Sequence, residues 1–114
     1  MIYYLDTSAL TKVYACEKGS AEMESLLNSN ESFFSSVVIY PELLLALRRK
    51  LENKEINNAD FSKQINSFEN HFQTLISHVE FHKEILTLLK TRILKYSMRA
   101  LDGIHLASAL WTQE

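Results

Sequence analysis

Three acids stand where a folded chain could use them together. Asp6 directly follows the apolar run at residues 2–5, Glu42 follows Pro41 at the start of a helical pattern, and Asp102 opens the last apolar segment. Behind each comes an apolar stretch able to hold it in place: Ala9-Leu10, residues 43–47, and residues 104–110. Three carboxylates gathered at one rim repel one another unless a cation sits between them. Oxygen-only ligands suit hard divalent ions such as Mg²⁺ or Mn²⁺ and disfavour zinc. Such an ion activates water and stabilises charge on a phosphate during in-line displacement. Taken singly, each acid is accounted for equally well as a favourable charge at a helix N-terminus, worth ~0.3–1 kcal/mol.

Whether the acids meet depends on the elements that carry them. Residues 2–5 read as a strand, and Thr7-Ser8 supply cap chemistry for a helix through Leu10, Val13 and Tyr14. Gly19-Ser20 opens a second helix with Met23, Leu26 and Leu27 inward, closed by the turn-forming Asn28-Ser29-Asn30. Residues 33–36 form a second strand, weakened by serines. Pro41 suits a first helical turn, and that helix spans about residues 40–51, its leucines facing nearly every direction. Phe61, Ile65, Phe68, Phe72 and Leu75 give the clearest helical stripe, with Asn57 or Asn58 as its cap. A third strand follows at residues 77–81, then helices at residues 82–96 and 101–111. Strands alternating with helices or helix pairs predict an α/β fold with a parallel sheet covered on its faces. In such folds ligands sit beyond the carboxyl ends of the strands, which would bring Asp6, Glu42 and Asp102 to one rim.

Composition removes several rival classes. With 46% hydrophobic and 23% charged residues and no biased tract, the 114-residue chain is neither disordered nor fibrous. It holds 2 Gly and 1 Pro, where average usage gives about 8 and about 6. Few turn residues imply long helices and few hairpins. The single cysteine, Cys16, excludes an internal disulfide and reads as a small core hydrophobe; the cytoplasm is the default compartment. No apolar run approaches the ~20 residues of a membrane span. A net charge of −2 argues against generic electrostatic binding of nucleic acid, yet eight bases fall in two windows: Arg48, Arg49, Lys50, Lys54, and Lys90, Arg92, Lys95, Arg99.

Three segments carry a resemblance. Tyr4-Leu5-Asp6-Thr7-Ser8-Ala9-Leu10, then Ser35-Ser36 followed by Glu42 and Ala46-Leu47-Arg48-Arg49, then Ala100-Leu101-Asp102-Gly103-Ile104-His105-Leu106-Ala107-Ser108-Ala109-Leu110 resemble the PIN-domain ribonucleases, and within them the VapC-type toxins of toxin–antitoxin pairs. The three occur in the family's order and spacing, across residues 1–114. The resemblance implies a single three-layer α/β/α domain, mostly helical, with a short parallel sheet. It implies a Mg²⁺- or Mn²⁺-dependent endoribonuclease in which Asp6, Glu42 and Asp102 match the first three acidic positions. Asp6 and Asp102 would then ligate the metal, and Glu42 would ligate it or position the attacking water. Ser8 matches a hydroxyl that orients a metal-bound water or a neighbouring acid. The family pattern continues into a further strand carrying a fourth acid, whereas this sequence ends at Glu114. The resemblance therefore implies a domain incomplete at its C-terminal end, with residues 2–5 as an apolar sheet edge exposed or covered by another chain.

Partners implied by the same resemblance are RNA, a cognate antitoxin and a second copy in a homodimer, with no membrane. The alternative from another class is a catalytically incomplete PIN-like module that only dimerises or binds an antitoxin. An aspartyl-phosphate phosphotransferase is a third reading, disfavoured because Ser8 stands where its second Asp is needed. Arg49 shares roughly the helix face of Glu42 and either holds an RNA phosphate or is solvated. The bases at residues 90–99 guide RNA or simply favour a helix C-terminus. His105 is expected to be hydrogen-bonded and half-buried without a ligand role; His71, His78 and His82 lack metal-ligand spacing. The Phe61 to Phe72 stripe reads as core or dimer contact.

Overall fold

A computed structural model describes residues 1–113. Its element order is β1 (Ile2–Tyr4), α1 (Thr7–Tyr14), α2 (Ser20–Leu27), β2 (Ser32–Ser36), α3 (Ile39–Glu52), α4 (Asn58–Thr74), β3 (Ile76–Val79), α5 (Lys83–Lys95) and α6 (Ala100–Thr112). The strands form a parallel sheet in the order β1-β2-β3. Register follows Tyr3 opposite Phe33 and Phe33 opposite Ile76, so these three share one face. Tyr4, Phe34, Ser36 and Val79 point to the other. Each strand returns to the next through helices, as parallel pairing requires.

Two apolar clusters back the two sheet faces. Leu5, Leu10, Tyr14, Leu27, Phe33, Ile39, Leu43, Leu47, Phe68 and Ile76 join helices α1 to α4 to one face. Val79, Ile85 and Ala107, with Leu88, Leu89 and Trp111, join α5 and α6 to the other. The result is the three-layer α/β/α sandwich anticipated from the sequence. Gly103 lets α6 approach α5 closely, because a Cβ there would lie 2.9 Å from Leu89 Cδ1 and 3.2 Å from Ile93 Cγ1.

Most boundaries shift by a residue or two, and three expectations change. Asp6, rather than Thr7 or Ser8, caps α1: its Oδ1 accepts the Ala9 N–H at 2.9 Å. Cys16 is exposed instead of buried, since it lies past the Ala15 C-cap where the chain leaves α1. The third strand starts at Ile76 and ends at Val79, leaving Phe81 outside the ladder and 48% exposed. Asn57 does cap α4, accepting the Asp60 N–H at 2.8 Å. Strand β1 is at the sheet edge with Ile2 59% exposed, but Leu5 is buried, its N–H still bonded to the Phe34 carbonyl. The edge is apolar at one end and anchored in the core at the other. The α3 leucines divide similarly: Leu43 and Leu47 are buried while Leu45 faces outward.

Candidate active site

Parallel pairing of β1 and β2 sends α1 and α3 away from the same end of the sheet, and α6 packs on β2 beside them. Asp6 follows β1, Glu42 lies in the first turn of α3 and Asp102 in the first turn of α6. A cleft of about 450 Å³ opens at this end, lined by Tyr4, Asp6, Ala9, Asp102, His105 and Leu106. Asp6 and Asp102 are both exposed to it, and among the described residues neither is in a salt bridge. A somewhat larger hollow beside the turn between α3 and α4 also carries two acids, Glu55 and Asp60, but it lies at the other end of α3 from Glu42.

Glu42 is held differently. Its Oε1 accepts the Thr7 hydroxyl at 2.8 Å and the His105 Nε2–H at 2.6 Å. The other ring nitrogen of His105, Nδ1, lies 2.8 Å from the Tyr4 hydroxyl, which in turn accepts the Ser36 N–H at 3.0 Å. Burial pushes the Tyr4 phenol up to about 12, so it stays protonated at neutral pH. The ring nitrogen facing a carboxylate must carry the hydrogen, because the carboxylate only accepts. This string connects β2, β1, α6, α3 and α1, the elements that bear all three acids.

The cleft therefore brings Asp6 and Asp102 together, whereas Glu42, expected at the same rim, is not among its lining residues and is linked to it through His105. Among the described residues no group of three His, Cys, Asp or Glu side chains is close enough to hold a metal ion by itself. Two carboxylates supplemented by water and substrate phosphate are the usual protein share of a Mg²⁺ site. Asp6 uses only Oδ1 for its cap, Asp102 has no ion-pair partner among the described residues, and all donors are oxygen. By donor chemistry these residues suit a hard divalent cation. Ser8 is exposed and makes no side-chain hydrogen bond among the described residues, whereas its neighbour Thr7 bonds Glu42 directly. Arg49 is exposed on α3, two turns beyond Glu42, and is not among the residues lining the cleft. Arg48 pairs instead with Glu52 at 2.9 Å, and Lys50 with Glu17 at 3.5 Å.

Thr7, Tyr4 and His105 are the site residues that sequence reasoning left without a task at Glu42. The available signal was the three-residue spacing of Asp102 and His105, which puts both on one face of α6. Nothing local to residue 7 or residue 4 reports that their hydroxyls meet α3 and α6.

A parallel α/β/α sandwich with acids beyond the carboxyl ends of its strands belongs to the class whose ligand sites lie at that rim. The PIN domain family model matches residues 3–113, and the chain belongs to that family. It is 27% identical to Ribonuclease VapC45 of Mycobacterium tuberculosis (strain CDC 1551 / Oshkosh) and to Ribonuclease VapC49 of Mycobacterium tuberculosis (strain ATCC 25618 / H37Rv). Each alignment runs over 114 residues, 96% of this chain and 75% of the relative. No helix among the described residues is long and apolar enough to cross a membrane.

Proposed function

We propose that this chain is a divalent-metal-dependent endoribonuclease of the VapC type, hydrolysing RNA phosphodiester bonds as the toxin of a toxin–antitoxin pair in the cytoplasm. The observation that carries the reading is that Asp6 and Asp102, neither in a salt bridge among the described residues, line one cleft, with Glu42 hydrogen-bonded to His105 of that lining. Mg²⁺ or Mn²⁺, when bound, would supply an activated water and stabilise charge on the phosphate. Asp6 and Asp102 would hold the ion, and Glu42 would ligate it or orient the attacking water. The names of the relatives, both ribonucleases, support RNA as the substrate. Ser8 at the cleft margin and Arg49 further along α3 are retained as candidate contacts to water and to RNA phosphate. A cognate antitoxin and a second copy of the chain are the protein partners proposed, in a single domain over residues 1–114.

Cleavage of a labelled RNA in Mn²⁺ or Mg²⁺, against excess chelator and the Asp6→Asn variant, tests the reading. Loss of cleavage in both, with the fold intact, is the expected result; cleavage that persists in either overturns it. A second reading, a PIN-like module that binds partners without cleaving, is favoured by one observation: no three acids converge among the described residues. Retained antitoxin binding without divalent-dependent cleavage by the wild type would select it.

A further inference from the structure

The hydrogen bonds at Glu42 are asymmetric. Both of its protein donors, Thr7 Oγ1–H and His105 Nε2–H, end on Oε1, and among the described residues none reaches Oε2. A glutamate on a helix surface ordinarily samples several rotamers. Two donors from two other helices converging on one oxygen select a single arrangement and leave the second oxygen as the one available to another ligand.

The donor from α6 is itself directed. Tyr4 Oη accepts the Ser36 N–H on one lone pair, so its own hydrogen is free to point at His105 Nδ1, 2.8 Å away. Nδ1 then accepts, and the hydrogen on the ring resides at Nε2, facing Glu42. The order is Ser36 N–H to Tyr4 O–H to His105, then Nε2–H to Glu42, running from sheet backbone to site. His105 is 9% exposed and packs edge-on against Tyr4, with ring centroids 5.8 Å apart, so the imidazole is held in place by packing as well as by hydrogen bonds. Such a partner hydrogen-bonded to a functional carboxylate sets its orientation.

We propose that His105 and Tyr4 are positioning residues for the hydrolysis proposed above, on which this inference rests: Tyr4 fixes the imidazole at Nδ1, Nε2–H holds Glu42 by Oε1, and Oε2 is left without a protein donor among the described residues.

The test combines kinetics with two readouts independent of turnover. His105→Leu keeps side-chain bulk without a donor, His105→Gln keeps an N–H able to reach Glu42, and Tyr4→Phe removes the phenol hydroxyl alone. In His105→Leu, kcat for RNA cleavage in Mn²⁺ should fall about tenfold to a hundredfold with KM for RNA nearly unchanged, and Mn²⁺ affinity measured by calorimetry without RNA should fall. His105→Gln should recover part of both. Long-range ¹⁵N NMR of the wild type should show the Nε2–H tautomer alone, and Tyr4→Phe, which takes the donor away from Nδ1 while Glu42 still faces Nε2, should shift the Nδ1 resonance and lower kcat. A folded His105→Leu with wild-type kcat, beside a wild type whose cleavage Asp6→Asn abolishes, overturns the positioning role and leaves the ribonuclease reading standing. A wild type that does not cleave with a divalent ion overturns both. Should His105→Leu fail to fold, Tyr4→Phe decides: unchanged kcat with an unchanged Nδ1 resonance removes the role.

Discussion

Asp6 combines two tasks that substitution can separate. Its Oδ1 caps α1 through the Ala9 N–H while the carboxylate faces the cleft. Asparagine caps a helix about as well as aspartate, whereas losing the cap to alanine costs about 0.5–2 kcal/mol. Asp6→Asn is therefore expected to keep its melting temperature and lose divalent-dependent cleavage, while Asp6→Ala loses both; thermal melts beside an RNA assay check this. Thr7 offers a second residue-scale test. Removing its hydroxyl in Thr7→Val leaves Glu42 with one donor, and kcat should fall while the global fold by circular dichroism is retained. Away from the cleft, His71 accepts the Tyr14 hydroxyl at Nδ1, 2.6 Å away, and burial holds its pKa below the ordinary imidazole value. Burial also pushes the Tyr14 phenol up, so it remains the donor. A histidine with a depressed folded pKa binds fewer protons folded than unfolded, so its contribution is lost as pH falls below about 6.5. Melting temperature should decline over that interval, and His71→Gln should flatten the decline.

At the scale of elements, α3 carries Glu42 on a helix whose buried side is complete. Leu43 and Leu47 are fully buried in the cluster under the sheet, and Leu45, two residues from Leu43, is 49% exposed. Leu43→Ala should destabilise the protein by about 2–5 kcal/mol, and Leu45→Ala should stay within about 0.5 kcal/mol of wild type; denaturant melts distinguish them. The α5–α6 contact turns on Gly103, next to Asp102. Leu89 Cδ1 and Ile93 Cγ1 already occupy the space a Cβ would need, so Gly103→Val requires those side chains, or the helices that carry them, to shift. Overpacking of this kind costs about 1–3 kcal/mol, and because α6 bears Asp102 and His105 the variant should lose cleavage more than stability alone accounts for.

Across the whole molecule, the elements were legible because their signals are local. The stripe of Phe61, Ile65, Phe68 and Phe72 became α4, the turn residues after Leu27 ended α2, and the alternation of strands with helices foretold a parallel sheet between two helical layers. Parallel connectivity then dictated that Asp6 and Glu42 emerge at one end of the sheet, a topological consequence that needs no side-chain detail. Local signals misled where burial depends on the trajectory of the chain: Cys16 lies just beyond a helix end and faces solvent, and Asp6 took the cap position assigned to Thr7 or Ser8. What the amino-acid sequence determined by itself was the set of acids, the elements bearing them and the family they resemble, since residue type and periodicity are properties of the chain. Tertiary structure alone decided that Thr7 and not Ser8 reaches Glu42, that Arg49 lies outside the cleft lining, and that Tyr4 and His105 line the cleft and link it to Glu42. Those outcomes depend on how α1, α3 and α6 pack against the sheet. Hydrogen-bond geometry changes over tenths of an ångström, and a one-residue rotation of any helix would hand the same carboxylate to different donors.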